Sequence, residues 1–236
     1  MDYPVDKEYH TNKKSELLDK FDEEARIWRP VINKLYWHEF AGGILWEARK
    51  EFEALIPHIP YIGGDENHLT NSLLESVRYL ALYKAMKKHG KTAEETGKIL
   101  YKAILTRIYR PLPVIPAKER LTTMQFVEQR RERAEKAKEL RYPGNYAFDF
   151  IMGDGKEFDR GSNFTECAAL KFFHAQGADE FMPFYCYLDF PKSKVIGVGF
   201  SRTMTLAEGY KKCNNRIKIG GETKLGWPPP FVKKKT

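Results

Sequence analysis

The chain has 236 residues, 42 % hydrophobic and 31 % charged, the composition of an ordinary soluble protein long enough to bury a full core. Its formal charge of +8 is mild, and the densest charged stretch, residues 128–141, mixes signs that pair at i,i+3 and i,i+4, so a nucleic-acid surface is not expected. The opening Met1-Asp2-Tyr3-Pro4 has no apolar segment behind it, no run approaches bilayer length, and three cysteines make no disulfide framework, so a reduced cytoplasmic protein without a membrane partner is expected.

The first two thirds read as helices. Leu17, Leu18, Phe21, Ala25 and Trp28 recur at helical spacing over 15–28. Pro30 is expected to interrupt that helix, and the pattern resumes over 31–56. Within it, His38 sits among Trp37, Phe40 and Trp46 beside Gly42-Gly43. Core packing is the expectation for this aromatic helix, with a roof over a pocket as the sharper alternative. Pro57, Pro60 and Gly63-Gly64 mark a loop, and residues 69–89 form an amphipathic helix closed by Gly90. Thr92 followed by Glu95 is a capping-box pattern, opening a helix that runs through Ile99, Leu100, Ala103, Ile104 and Ile108. Pro111, Pro113 and Pro116 form a stiff connector before a helix over 117–140.

Beyond Pro143-Gly144 the character changes. Residues 146–152 and 157–165 read as a hairpin around Gly153-Asp154-Gly155, with further strands at 195–205 and 213–219. Residues 166–176 and 180–189 read as helices. The expected class is α+β: a helical part over 1–142, then an antiparallel sheet with inserted helices over 143–236, the two forming one compact unit.

All three cysteines, Cys167, Cys186 and Cys213, lie in the second part. Gaps of 18 and 26 residues lack the close spacing of a zinc site. No cofactor is expected, and a metal held by these three residues is kept only as an alternative. Taken singly, a cysteine is more often a small buried hydrophobe.

Around the cysteines the order of motifs is informative. Thr165-Glu166-Cys167 opens a helix that ends Gly177-Ala178, followed by Cys186-Tyr187-Leu188-Asp189. Then come Arg202-Thr203-Met204-Thr205-Leu206-Ala207-Glu208-Gly209 and Cys213-Asn214-Asn215-Arg216. Five such pieces in this order, over 146–219, resemble the L-2-amino-thiazoline-4-carboxylic acid hydrolase family. One departure stands out: the family usually carries an aspartate and an aromatic after the last cysteine, where this chain has Asn214 and Asn215.

The resemblance implies hydrolytic opening of a small heterocyclic, carboxylate-bearing amidine. Such chemistry needs a nucleophile, a base, a hydrogen-bond donor and a cation for the carboxylate. Cys167, at a helix start that would lower its pKa, or Cys186 is the expected nucleophile. Asp189 falls on the same helix side as Cys186 and could act as base, and His174 falls on the same side as Cys167. Arg202 and Arg216 could clamp the carboxylate, with Thr203, Thr205, Cys213 and Asn214 completing the substrate site.

The plainer readings are that Asp189 ends a helix, Arg202 pairs with Glu208 at the surface, Gly209 serves a turn and His174 is structural. A ligand-binding or sensory module with structural or metal-binding cysteines is the competing function. A small-molecule substrate is the expected partner, with self-association left open.

Overall fold

The structure, a computed structural model, describes residues 7–106, 123–139 and 142–232. Among the described residues six helices come first: α1 (Lys7–Asn12), α2 (Lys14–Leu35), α3 (His38–Leu55), α4 (Thr70–Lys88), α5 (Ala93–Leu105) and α6 (Met124–Glu139). The strands β1 (Ala147–Met152) and β2 (Arg160–Glu166) follow. Three short helices, α7 (Ala168–Ala175), α8 (Met182–Tyr187) and α9 (Asp189–Ile196), precede β3 (Gly199–Ser201) and β4 (Cys213–Lys218). The four strands form one antiparallel sheet in the order β1-β2-β4-β3, so the architecture is α+β. Among the described residues no helix is long and apolar enough to cross a membrane.

Two compact units interleave along the chain. The described residues of the first fall within Met1–Ala103, Tyr142–Gly144 and Ala168–Tyr185; those of the second fall within Ile104–Arg141, Asn145–Cys167 and Cys186–Thr236.

The first unit is helical. Its core is built where α2, α3 and α4 meet: Phe21 stacks on Phe52 at 5.5 Å, and Trp28 meets Tyr79 edge-on at 5.8 Å. Pro30 does not end α2, as the sequence suggested. Trp28 before it and Val31 and Ile32 after it are all buried, and packing of that stripe outweighs a lost helix hydrogen bond. The break comes instead at Tyr36 and Trp37, whose extended backbone starts α3.

The aromatic character of α3 is not core packing throughout. Ala41, Ile44, Leu45, Ala48, Phe52 and Leu55 form the buried stripe, and Trp46 falls outside it, 63 % exposed like the preceding Trp37 at 57 %. Helix α4 ends as its pattern implied: Gly90, at φ 71°, lets Lys91 N–H reach Met86 C=O and its own N–H reach Lys87 C=O. The Thr92–Glu95 capping box is formed in both directions. The proline connector and Ile108 lie outside the described residues, as do the first residues of the helix read over 117–140.

The second unit carries the sheet. Side chains alternate across each strand, so register fixes which residues share a face. Phe148, Phe164 and Cys213 align across β1, β2 and β4; so do Phe150, Ser162 and Asn215, and then Met152, Arg160 and Ile217, with Phe200 of β3 beside Ile217. That face is the packed one, since Phe148, Arg160, Ser162, Phe200 and Cys213 are all buried. Asp149, Asn163, Asn214 and Arg216 occupy the opposite face.

The strand expected over 195–205 is much shorter. Residues up to Ile196 belong to α9, which Gly197 stops in the left-handed region at φ 82°. Only Gly199–Ser201 pair in the sheet. Thr203 and Met204 direct their N–H groups at the Asn214 side chain, which removes them from any ladder.

Candidate active site

Arg202 is the centre of the site. It lies one residue beyond β3, where the register Ser201–Arg216 sets it opposite Asn215 on the packed face. Its side chain is 5 % exposed, and its Nη1 donates to Asp189 Oδ2 at 2.6 Å and to Asn215 Oδ1 at 3.4 Å. Nη2 donates to the main-chain carbonyl of Cys186. The ring of Phe200 lies 5.5 Å from the guanidinium. Burial works against the charge, but Asp189 and, more weakly, Cys186 and Cys213 more than offset it, so the guanidinium is held firmly protonated.

The chain reaches this point through a nearly continuous helical path. Cys186 is close to the end of α8 and Asp189 begins α9, with Leu188 between them still in helical conformation. The three-residue spacing therefore brings the Cys186 carbonyl and the Asp189 carboxylate onto one guanidinium. The surface pair of Arg202 with Glu208 is not formed; Glu208 accepts from the Thr205 hydroxyl instead.

The three cysteines gather around this ion pair without a disulfide. Burial pushes the Cys186 thiol well up, against a lowering influence from Arg202, with Cys167, Asp189 and Cys213 adding to the rise. Burial likewise raises Cys213, opposed by the Leu206 N–H that donates to its sulfur at 3.2 Å. Both are therefore thiols in the resting site. Among the described residues no three His, Cys, Asp or Glu side chains are arranged to hold a metal ion.

The remaining residues singled out from the sequence fall into two groups. Thr203, Thr205 and Asn214 shape the loop. Asn214 Oδ1 accepts from Thr203 N–H at 3.0 Å and Met204 N–H at 2.8 Å, and its Nδ2 donates to the Thr203 hydroxyl. Thr205 caps the short turn Leu206–Glu208, which Gly209 closes at φ 86°. Asn214 thus serves through its oxygen, an acceptor that the family's aspartate also has.

His174 and Arg216 are engaged with other partners. His174 belongs to the first unit, where its Nδ1 meets Asp179 Oδ1 at 2.9 Å and its side chain is 77 % exposed. Arg216 points to the opposite sheet face, bonded to Asn163 Oδ1 at 3.0 Å and lying over Phe158. Arg202 and Arg216 therefore do not form a clamp.

Sequence reasoning missed Arg160. It is 7 % exposed, its Nε has no hydrogen-bond partner, and its guanidinium lies 4.4 Å from the Phe126 ring centre of α6. The alternation Arg160, Ser162, Phe164 carried the signal, because it puts the arginine on the same face as a phenylalanine.

The L-2-amino-thiazoline-4-carboxylic acid hydrolase family matches the chain over residues 71–217. That span begins near the start of α4, so the likeness takes in part of the helical region as well as the sheet and all three cysteines. No curated protein and no solved structure matches. From the match, and from the order of motifs that builds this cluster, the chain belongs to the L-2-amino-thiazoline-4-carboxylic acid hydrolase family.

Proposed function

We propose that the protein hydrolyses the ring of a small, carboxylate-bearing cyclic amidine of the 2-amino-thiazoline type, with Cys186 as nucleophile and Asp189 as its base. The Cys186 sulfur attacks the amidine carbon while its proton passes to the Asp189 carboxylate. The carbon–sulfur bond of the ring breaks, and the departing thiolate takes that proton. Water then adds to the same carbon and the bond to Cys186 breaks, restoring the thiol and leaving a urea, the N-carbamoyl group of an opened cysteine. The net change is one water added.

The observation that carries this reading is the shared engagement of Cys186 and Asp189 by a buried arginine. Arg202 ties the Cys186 main-chain carbonyl and the Asp189 carboxylate to one guanidinium, which holds the residue that bears the nucleophile beside its base. The raised Cys186 pKa means that attack needs a base at the moment of reaction, and Asp189 supplies one. Cys213, held by Leu206 N–H, packs beside them and has no step of its own.

The test is incubation with 2-amino-thiazoline-4-carboxylate and mass spectrometry of the products. A gain of one water mass, with the C–S bond opened and a free thiol revealed, supports the reading. An unchanged substrate with folded protein refutes it in favour of a binding role.

A further inference from the structure

Among its described residues the second unit contains a pair of cations that no carboxylate bonds. Arg160 of β2 is buried and Arg130 of α6 is half-buried, and both face the ring of Phe126, at 4.4 and 5.8 Å. Neither makes an ion pair among the described residues. The nearest acid in sequence, Asp159, gives its carboxylate to Lys218 and to Ile219 N–H. Lys138, further along α6, takes up Glu135 and Asp149. A buried guanidinium with an orphaned Nε is costly, since each desolvated charge needs a partner. The strain registers on both groups: burial and the neighbouring Arg130 pull Arg160 down to about 10 against a smaller opposing influence of Asp159, and burial and Arg133 lower Arg130.

We propose that Arg160, flanked by Arg130, is an anion subsite that takes the carboxylate of a small planar ligand. Four points converge on this. Arg160 lies on the packed sheet face, the face that also bears Ser162, Asn215 and Cys213. Arg202 contacts Asn215 from β3's side, so Arg160 and Arg202 lie on the same face of the sheet. By strand spacing, the α-carbons of Arg160 and Arg202 are on the order of 12 Å apart, a gap that two arginine side chains narrow to the size of a small heterocycle. Moreover, Arg202 is already neutralised by Asp189, whereas Arg160 is not. A planar guanidinium matches a carboxylate bidentately, and Phe126 holds that plane in place. The inference rests on the reading of a carboxylate-bearing ligand and not on its hydrolysis.

The test uses thiazole-4-carboxylate, which lacks the hydrolysable amidine, and its uncharged carboxamide. Thermal unfolding and titration calorimetry on the full chain compare wild type with R160M, R160K and R130M. A ligand that binds only the folded state raises Tm. The carboxylate should raise the wild-type Tm and the carboxamide should not. R160M should lose the shift, and R160K should bind at least about tenfold more weakly because the fork is gone. R130M should weaken binding to a smaller degree.

Without ligand, R160M should unfold at the same or a higher temperature than wild type, since it removes an uncompensated charge. Equal shifts from carboxylate and carboxamide, or undiminished carboxylate binding in R160M or R160K, would overturn the proposal. Carboxylate binding without turnover of 2-amino-thiazoline-4-carboxylate would leave the subsite standing and remove the hydrolase reading.

Discussion

Asp189 and Arg202 are unequal partners: the arginine side chain is 5 % exposed and the aspartate 42 %. Replacing Asp189 by Asn should therefore strand a buried cation. Breaking a buried pair costs about 3–5 kcal/mol, and discounting for the exposed partner gives about 1–3 kcal/mol, measurable by urea unfolding. A loss below the error of that measurement would mean that Arg202 finds its compensation elsewhere. The Cys186 thiol, raised by burial, should alkylate with iodoacetamide at a rate that keeps climbing beyond its ordinary value of 9.0, with no plateau below it. These residues were legible as letters, because Cys186 and Asp189 stand three apart in a recognisable order. Their convergence on Arg202 was not, since the pairing crosses from α9 to the end of β3. Arg160 went unread for a related reason: an arginine in a strand reads as the solvent side unless its alternation with Phe164 is followed.

The loop from Arg202 to Gly209 is where the family pattern is densest, and most of its residues are spent on shape. Asn214 is the hinge of that shape, accepting from two successive N–H groups. An aspartate keeps the oxygen that accepts both bonds and loses only the donor to Thr203, so N214D should stay within about 1 kcal/mol of wild type. N214A, which leaves those N–H groups without the acceptor, should cost about 1–3 kcal/mol. If the two variants unfold alike, the loop is not held in this way. At the other end of the chain, Thr92→Ala removes a formed capping box and should cost about 1 kcal/mol of stability. Helices with caps were legible from such local signals. Elements decided by packing were not: α2 runs through Pro30, and the residues up to Ile196 read as strand from their branched side chains yet wind into α9 until Gly197 stops it.

At the scale of the molecule, the helical unit is tied by a charge network that reports on acid stability. Glu180 bonds Lys87 at 2.5 Å and the Tyr83 hydroxyl, and these partners hold its carboxyl down at about 2 from an ordinary 4.5. A depressed carboxyl stabilises the fold while ionised, so its contribution is complete above pH 4.5 and disappears as pH falls to about 2. The stability gap between wild type and E180Q should follow that course; a gap independent of pH would deny the network this role. The interleaving of the two units was beyond reach of composition or periodicity, because α7 and part of α8 join the helical unit after two strands of the other have formed. The central claim remains the chemistry at Cys186. Its most direct test is the rate of ring opening of 2-amino-thiazoline-4-carboxylate by wild type, Cys186→Ser and Cys213→Ser, each first shown to be folded. The account predicts that Cys186→Ser abolishes turnover while Cys213→Ser retains it, and turnover surviving in Cys186→Ser would contradict it.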